Sequence, residues 1–118
     1  MARILVVDDD SGMRLVLNRL LTANGYAVSE TASGAETLAW LEGHVCDLMI
    51  LDLLLGDLHG ASIVAWVEEH RHGLPIVVLS GATEADLKAI RPKVYLVMPK
   101  PPTWENLLPA VADVLKRK

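Results

Sequence analysis

Residues 4–13, ILVVDDDSGM, set an apolar run directly against three carboxylates. The run at 4–7 is aliphatic and β-branched without alternation, the pattern of a strand buried on both faces. Such a strand needs helices above and below it, so the chain that follows should turn back over the sheet. Met13, Val16, Leu17, Leu20 and Leu21 then fall at helical spacing, with Asp10 or Ser11 to cap the start and Gly25 to stop the end.

The alternation repeats along the chain. Strands are predicted over 26–30, 48–51, 75–79 and 95–98, separated by helical patterns. Ser33-Gly34-Ala35-Glu36 has the form of a capping box, opening a helix that carries Leu38 and Leu41 before Gly43. Ile63, Val64 and Val67 mark a third helix closing near His72 and Gly73. A weaker helical pattern covers 84–90, and Pro92 is expected to stop it. Thr103 is placed to cap a last helix through Leu107, Leu108, Val111, Val114 and Leu115, which Pro109 should bend. Five strands alternating with five helices predict an α/β fold: a doubly wound parallel sheet with helices on both faces.

The chain has 118 residues, one domain's worth, so residues 1–118 are read as a single domain. Hydrophobic residues make up 52% and charged residues 22%, which favours a packed core over disorder. The apolar stretches fall short of the roughly 20 residues a membrane helix needs. The start of the chain shows no signal-peptide architecture, so a cytoplasmic protein is expected. With Cys46 alone no internal disulfide can form, and that residue is read as a small core side chain. A net charge of -4 argues against a nucleic-acid surface. The basic residues Lys116, Arg117 and Lys118 suit a helix C-terminus. His44, His59, His70 and His72 have no ligand spacing and are read as surface residues; Trp40, Trp66 and Trp104 are read as packing or contact residues.

In a parallel sheet the strand ends collect along one edge, and ligands bind outside the carboxyl ends where strand order reverses. The first strand ends in Asp8 and Asp9, the third in Asp52 and the fourth in Ser80, while the fifth leads to Lys100. A bare cluster of carboxylates would be forced to take up a proton. A hard divalent cation removes that conflict, and magnesium suits an all-oxygen site that keeps some waters. Asp52 can then act as a nucleophile toward phosphorus, forming an aspartyl phosphate. Lys100 would pair with one phosphoryl oxygen and the Ser80 hydroxyl with another, with Gly81 leaving room.

Four segments carry a resemblance: VVDDDSGMR, LMILDLLLGDLHG, VVLSG and the Lys-Pro pair at 100–101. In this order, on five βα units, the chain resembles the receiver domains of two-component response regulators. The resemblance implies strand order 2-1-3-4-5. It further implies that Asp52 is the phosphoacceptor, that Asp9 and Asp52 bind Mg2+ directly, that Asp8 helps through a coordinated water, and that the Leu54 carbonyl is a further ligand. The expected phosphodonor is a histidine kinase or a histidine phosphotransfer protein, and the readout is a contact with an output partner or a second copy. Neither nucleic acid nor membrane is expected to contact this domain. The Lys100-Pro101 peptide bond is expected to be cis.

The chain also departs from the family's pattern. Leu55-Gly56 stands where many members have Met-Pro, and Val97 where many carry a switch aromatic. Tyr95 shares the strand parity of Val97 and could take its place only through a register shift of two. Phosphorylation is therefore expected to rotate no aromatic at 97. The segment 81–98 is short for the family, which puts output through the fourth helix and fifth strand in question. Leu54 and Ala82 cannot orient a water, so slow hydrolysis of the aspartyl phosphate is expected.

Three other functions compete. A magnesium phosphatase of the haloacid dehalogenase type would use Asp8 of the Asp8-Asp9-Asp10 run as nucleophile, but needs a late acidic pair and a longer chain. An interaction module that is never phosphorylated would leave the intact acidic, hydroxyl and lysine positions unexplained. A flavodoxin-like cofactor role conflicts with the acidic loop after the first strand.

Overall fold

The aliphatic run that opens the chain forms β1 (Arg3–Val7), buried from Ile4 onward. The computed structural model describes residues 1–81 and 84–116. Ala82, expected beside the acceptor, and Arg117 and Lys118 lie outside them. Among the described residues the remaining strands are β2 (Ala27–Thr31), β3 (Leu48–Asp52), β4 (Ile76–Ser80) and β5 (Leu96–Pro99). The helices are α1 (Ser11–Ala23), α2 (Gly34–Gly43), α3 (Gly60–His70), α4 (Glu84–Leu87) and α5 (Trp104–Lys116).

All strand pairs are parallel and the order is β2-β1-β3-β4-β5, as the resemblance implied. Successive side chains on a strand point to opposite faces. Leu5, Val7, Met49, Leu51 and Val78 accordingly pack with Leu41 of α2 and Ile63 and Val64 of α3. Ile4, Val6, Leu48, Ile50 and Leu79 pack with Leu17 and Leu21 of α1 and with Leu107 and Val111 of α5. Burying each such leucine stabilises the fold by about 1.5–3 kcal/mol, so the unalternating strands are what holds the three layers together.

Local chemistry sets the helix ends. Asp10 caps α1 by accepting from the Gly12 and Met13 N–H groups at 2.8 and 3.4 Å. Ser33 caps α2 through the Glu36 N–H at 3.0 Å. The reciprocal arm of that capping box differs from expectation: Glu36 Oε1 accepts from Ala32 N at 2.9 Å, one residue upstream of the cap. His59 is exposed, as expected, and it also caps α3, its Nδ1 accepting from Ala61 N at 3.1 Å.

Several boundaries move, β4 among them, which runs over Ile76–Ser80 where 75–79 was expected. The Tyr26 N–H donates to the Leu21 carbonyl at 3.2 Å, so residue 26 belongs to the turn closing α1 and β2 starts one residue later. The helix expected over 84–90 ends at Leu87. Beyond it, Ile90 N donates to Leu87 O and Lys93 N to Ile90 O, the three-residue spacing of a tighter turn. Pro92 does not stop a helix; it sits in the first turn of the 3-10 helix Arg91–Lys93, where a missing N–H costs nothing. The fifth strand begins at Leu96, not Tyr95.

Candidate phosphoryl and metal site

Register brings the predicted residues to one edge. Val7 pairs with Leu51, so Asp8 and Asp52 follow side by side at the ends of β1 and β3. Asp52 pairs with Leu79 and Ser80 with Pro99, which sets Ser80 and Lys100 at the same edge. Asp8, Asp52 and Lys100 continue the parity of Val6, Ile50 and Met98, the residues packed toward α1 and α5. Their side chains therefore leave the sheet on one side.

The geometry follows from that parity. Lys100 Nζ lies 2.9 Å from Asp8 Oδ2 and 2.9 Å from Asp52 Oδ2. The other oxygen of each carboxylate is held by its own loop: Asp10 N donates to Asp8 Oδ1 at 2.9 Å, and Leu54 N to Asp52 Oδ1 at 3.1 Å. Asp8, Asp52 and Ser80 are buried, while Asp9 is exposed. The Lys100-Pro101 bond that presents the lysine is cis.

Electrostatics match this layout. Burial pushes the Asp8 carboxyl above its ordinary range, against the Asp10 N–H and the Lys100 ammonium, which pull it down. Burial also works against the charge on Lys100, but the hydrogen bonds and charges of Asp52 and Asp8 outweigh it and hold the ammonium above its usual range. The lysine thus shares out the charge that the sequence alone would assign to a cation.

Carboxylate oxygens of Asp8, Asp9 and Asp52 lie within 4.8 Å of one another. An all-oxygen donor set open on the Asp9 side fits a hard cation such as magnesium, which needs few carboxylates and retains waters. The loop that would supply the Leu54 carbonyl is shaped by Gly56 at φ 84°, left-handed backbone that a proline at this position could not adopt. The departure from Met-Pro therefore changes the turn itself. Leu54 has its side chain in solvent.

Tyr95 does not take the place of the missing aromatic. Val97 pairs with Val78 and Met98 with Leu79, so β5 is unshifted. Tyr95 precedes the strand at the end remote from Lys100, and its hydroxyl donates to Asp113 on α5. Other expectations hold: half-buried Cys46, Trp40 and Trp66 pack against one core layer, and Trp104 against the other.

Two contributors were not read from the sequence. Arg14 Nη1 donates to the Asp8 carbonyl at 2.7 Å while its Nε pairs with Glu30 at 3.3 Å, fixing the chain where the acidic run begins. Its position one turn into α1, facing the strand it follows, is the only signal available. Asp57 accepts from Gly34 N at 2.8 Å and Ala35 N at 3.0 Å, a contact across more than twenty residues that no local pattern encodes.

Comparison with known proteins agrees. The family model for the response regulator receiver domain matches residues 4–112. The chain is 32% identical over 118 residues to the transcriptional regulatory protein GlrR of Escherichia coli, covering 98% of this chain and 27% of that protein. It is 34% identical to the DNA-binding transcriptional regulator NtrC of Bradyrhizobium, covering 95% of this chain and 24% of that one. The chain thus spans about a quarter of the length of these curated relatives. A receiver domain protein from Methanospirillum hungatei superposes with a TM-score of 0.93 at 24% identity, covering 99% of this chain and 95% of that one. The response regulator TrrA of Thermotoga maritima, solved in complex with Mg2+ and BeF, superposes with a TM-score of 0.88 at 26% identity, covering 98% of this chain and all of that one. With the acidic edge, the lysine and the 2-1-3-4-5 sheet in place, the chain belongs to the response regulator receiver domains of two-component signalling.

Proposed function

We propose that Asp52 is the phosphoacceptor, that Ser80 and Lys100 bind the incoming phosphoryl oxygens, and that Asp8, Asp9, Asp52 and the Leu54 carbonyl form the magnesium site. The supporting observation is the convergence of Lys100 on Asp8 and Asp52, 2.9 Å from each. Asp8 would act through a coordinated water. Residues 1–118 work as one receiver domain, and the cytoplasm as its location belongs to the same reading. No helix among the described residues is long and apolar enough to cross a membrane.

The reaction takes a phosphoryl group from a phosphohistidine on a histidine kinase or phosphotransfer protein. An Asp52 carboxylate oxygen attacks phosphorus, the P–N bond breaks, and the imidazole leaves with that electron pair. Bound magnesium supplies charge neutralisation for the phosphoryl oxygens. Lys100 meets the same need from the protein side, since its ammonium already stands beside the attacking carboxylate. Ser80, buried at the end of β4, donates its hydroxyl to a phosphoryl oxygen. Leu54 N holds the non-attacking oxygen Asp52 Oδ1, which fixes the carboxylate's orientation. The domain catalyses only its own phosphorylation and dephosphorylation, and the product alters a contact with an output partner or a second copy.

The test is the intact mass after incubation with Mg2+ and acetyl phosphate. One added phosphoryl group on the wild type, absent without Mg2+ and absent from Asp52→Asn, supports the reading. A folded wild type that takes up none, with donor hydrolysis excluded, points to the interaction module instead.

A further inference from the structure

The loop from Asp52 to α3 is anchored at its base and at its tip by different means. Leu53 and Leu55 are buried in the core, and Gly60 N donates to Leu53 O at 2.7 Å. The tip reaches α2. Asp57 Oδ1 accepts from Gly34 N at 2.8 Å and its Oδ2 from Ala35 N at 3.0 Å. Leu58 lies against the Gly34 backbone so closely that a Cβ on residue 34 would stand 2.6 Å from the Leu58 Cβ. The helix has a cap of its own in Ser33, which takes the Glu36 N–H, so the Asp57 carboxylate is an added tie between two elements. An anion at the positive end of a helix is held by the backbone dipoles as well as by the two hydrogen bonds.

Leu54 lies three residues before this clamp, in the same loop, and bridges to His59 on the far side of the tip. Its side chain is exposed, so the position of its carbonyl depends on the backbone of the loop. Magnesium tolerates little displacement, demanding near-octahedral ligands at roughly 2.0–2.1 Å.

We propose that Asp57 is a positioning residue for phosphoryl uptake: by clamping the loop tip onto the N-terminus of α2, it holds the Leu54 carbonyl where the metal ion requires it. The proposal rests on the assignment of Asp52 and Leu54 made above. It makes α2 part of the site's support, although α2 contributes no side chain to the acidic edge.

The experiment is the Mg2+ affinity of the unphosphorylated protein, read by isothermal titration calorimetry, set beside the initial rate of phosphoryl uptake from acetyl phosphate, read by intact mass across the same Mg2+ titration. The variants are Asp57→Ala, Asp57→Asn and, as control, Asp47→Ala. Asp47 also accepts a backbone N–H, from Arg3 at 2.8 Å, but at the opposite end of the strands. Removing a side chain that orients a metal ligand weakens metal binding by about 10–100-fold. Asp57→Ala should therefore raise the half-saturating Mg2+ by about that factor while leaving the rate at saturating Mg2+ near the wild-type value. Asp57→Asn, which keeps one acceptor oxygen, should fall between, and it decides the matter if the alanine variant does not fold. An unshifted half-saturation in the folded Asp57 variants overturns the proposal, as does an equal shift in Asp47→Ala. A folded wild type that takes up no phosphoryl group, with donor hydrolysis excluded, overturns the assignment of Asp52 as phosphoacceptor, and the proposal with it.

Discussion

The Lys100 ammonium stands 2.9 Å from Asp52 Oδ2 and is shared with Asp8 at the same distance. Two buried carboxylates at the ends of adjacent strands are thus kept in one place by a cation that belongs to the fold. The lysine neutralises the pair, and in the proposed reaction it is also the group that meets the phosphoryl oxygens.

Replacing that cation should expose the conflict. Lys100→Met leaves Asp8 and Asp52 facing each other, and the loss of a partner for a buried polar group costs about 1–3 kcal/mol. The lysine side chain is 23% exposed, which holds the figure below that of a fully buried ion pair. Urea denaturation in EDTA should show the loss, and added Mg2+ should recover most of it. Equal stability of variant and wild type in metal-free buffer would mean that the lysine is not balancing the cluster.

Asp8 supplies a pH signature in the metal-free protein. Its carboxyl is raised in the folded state, chiefly by burial, so between its ordinary value of 3.8 and the raised value the folded protein binds more protons than the unfolded chain. The contribution is present below 3.8 and is lost as pH rises through the folded value. Relative to Asp8→Asn, wild-type stability should therefore fall as pH rises across that window. A difference curve that is flat, or that rises, would contradict the burial argument.

Hydrolysis of the aspartyl phosphate needs an oriented water, and the exposed Leu54 side chain offers no polar atom to hold one. Leu54→Asn should shorten the lifetime of the phosphorylated protein, followed by loss of the mass adduct after the donor is removed. Ala82 was expected to act with Leu54 but lies outside the described residues. A lifetime unchanged by a polar residue at 54 would place control of hydrolysis elsewhere.

Tyr95 bonds Asp113 on α5, and position 97 is a valine paired with Val78. Phosphorylation should leave the ring resonances of Tyr95 nearly where they are. A large shift of those resonances on phosphorylation would show that β5 does carry an aromatic switch.

The sheet was legible because its strands are buried on both faces: runs such as 48–51 and 76–79 admit no other reading once helices separate them. The meeting of Asp8, Asp52 and Ser80 at one sheet edge was legible for the same reason, since they are polar residues placed where an apolar strand stops. Sequence reading failed where a contact is non-local. The Asp57 clamp joins residues 22 and 23 apart, and the bridging of Asp8 and Asp52 by Lys100 follows only from the register of four strands. It also failed at Pro92, where one residue that breaks an α-helix serves equally well to open a 3-10 turn.

The assignment of Asp52 is tested most directly by locating the phosphoryl group. Borohydride reduces an acyl phosphate to the alcohol with loss of phosphate, converting the modified aspartate to homoserine, and fragment sequencing then reports its position. After treatment with Mg2+ and acetyl phosphate, homoserine at position 52 is the expected result. Homoserine at position 8, with Asp52 intact, would contradict the account and assign the chemistry to the first strand's carboxylate.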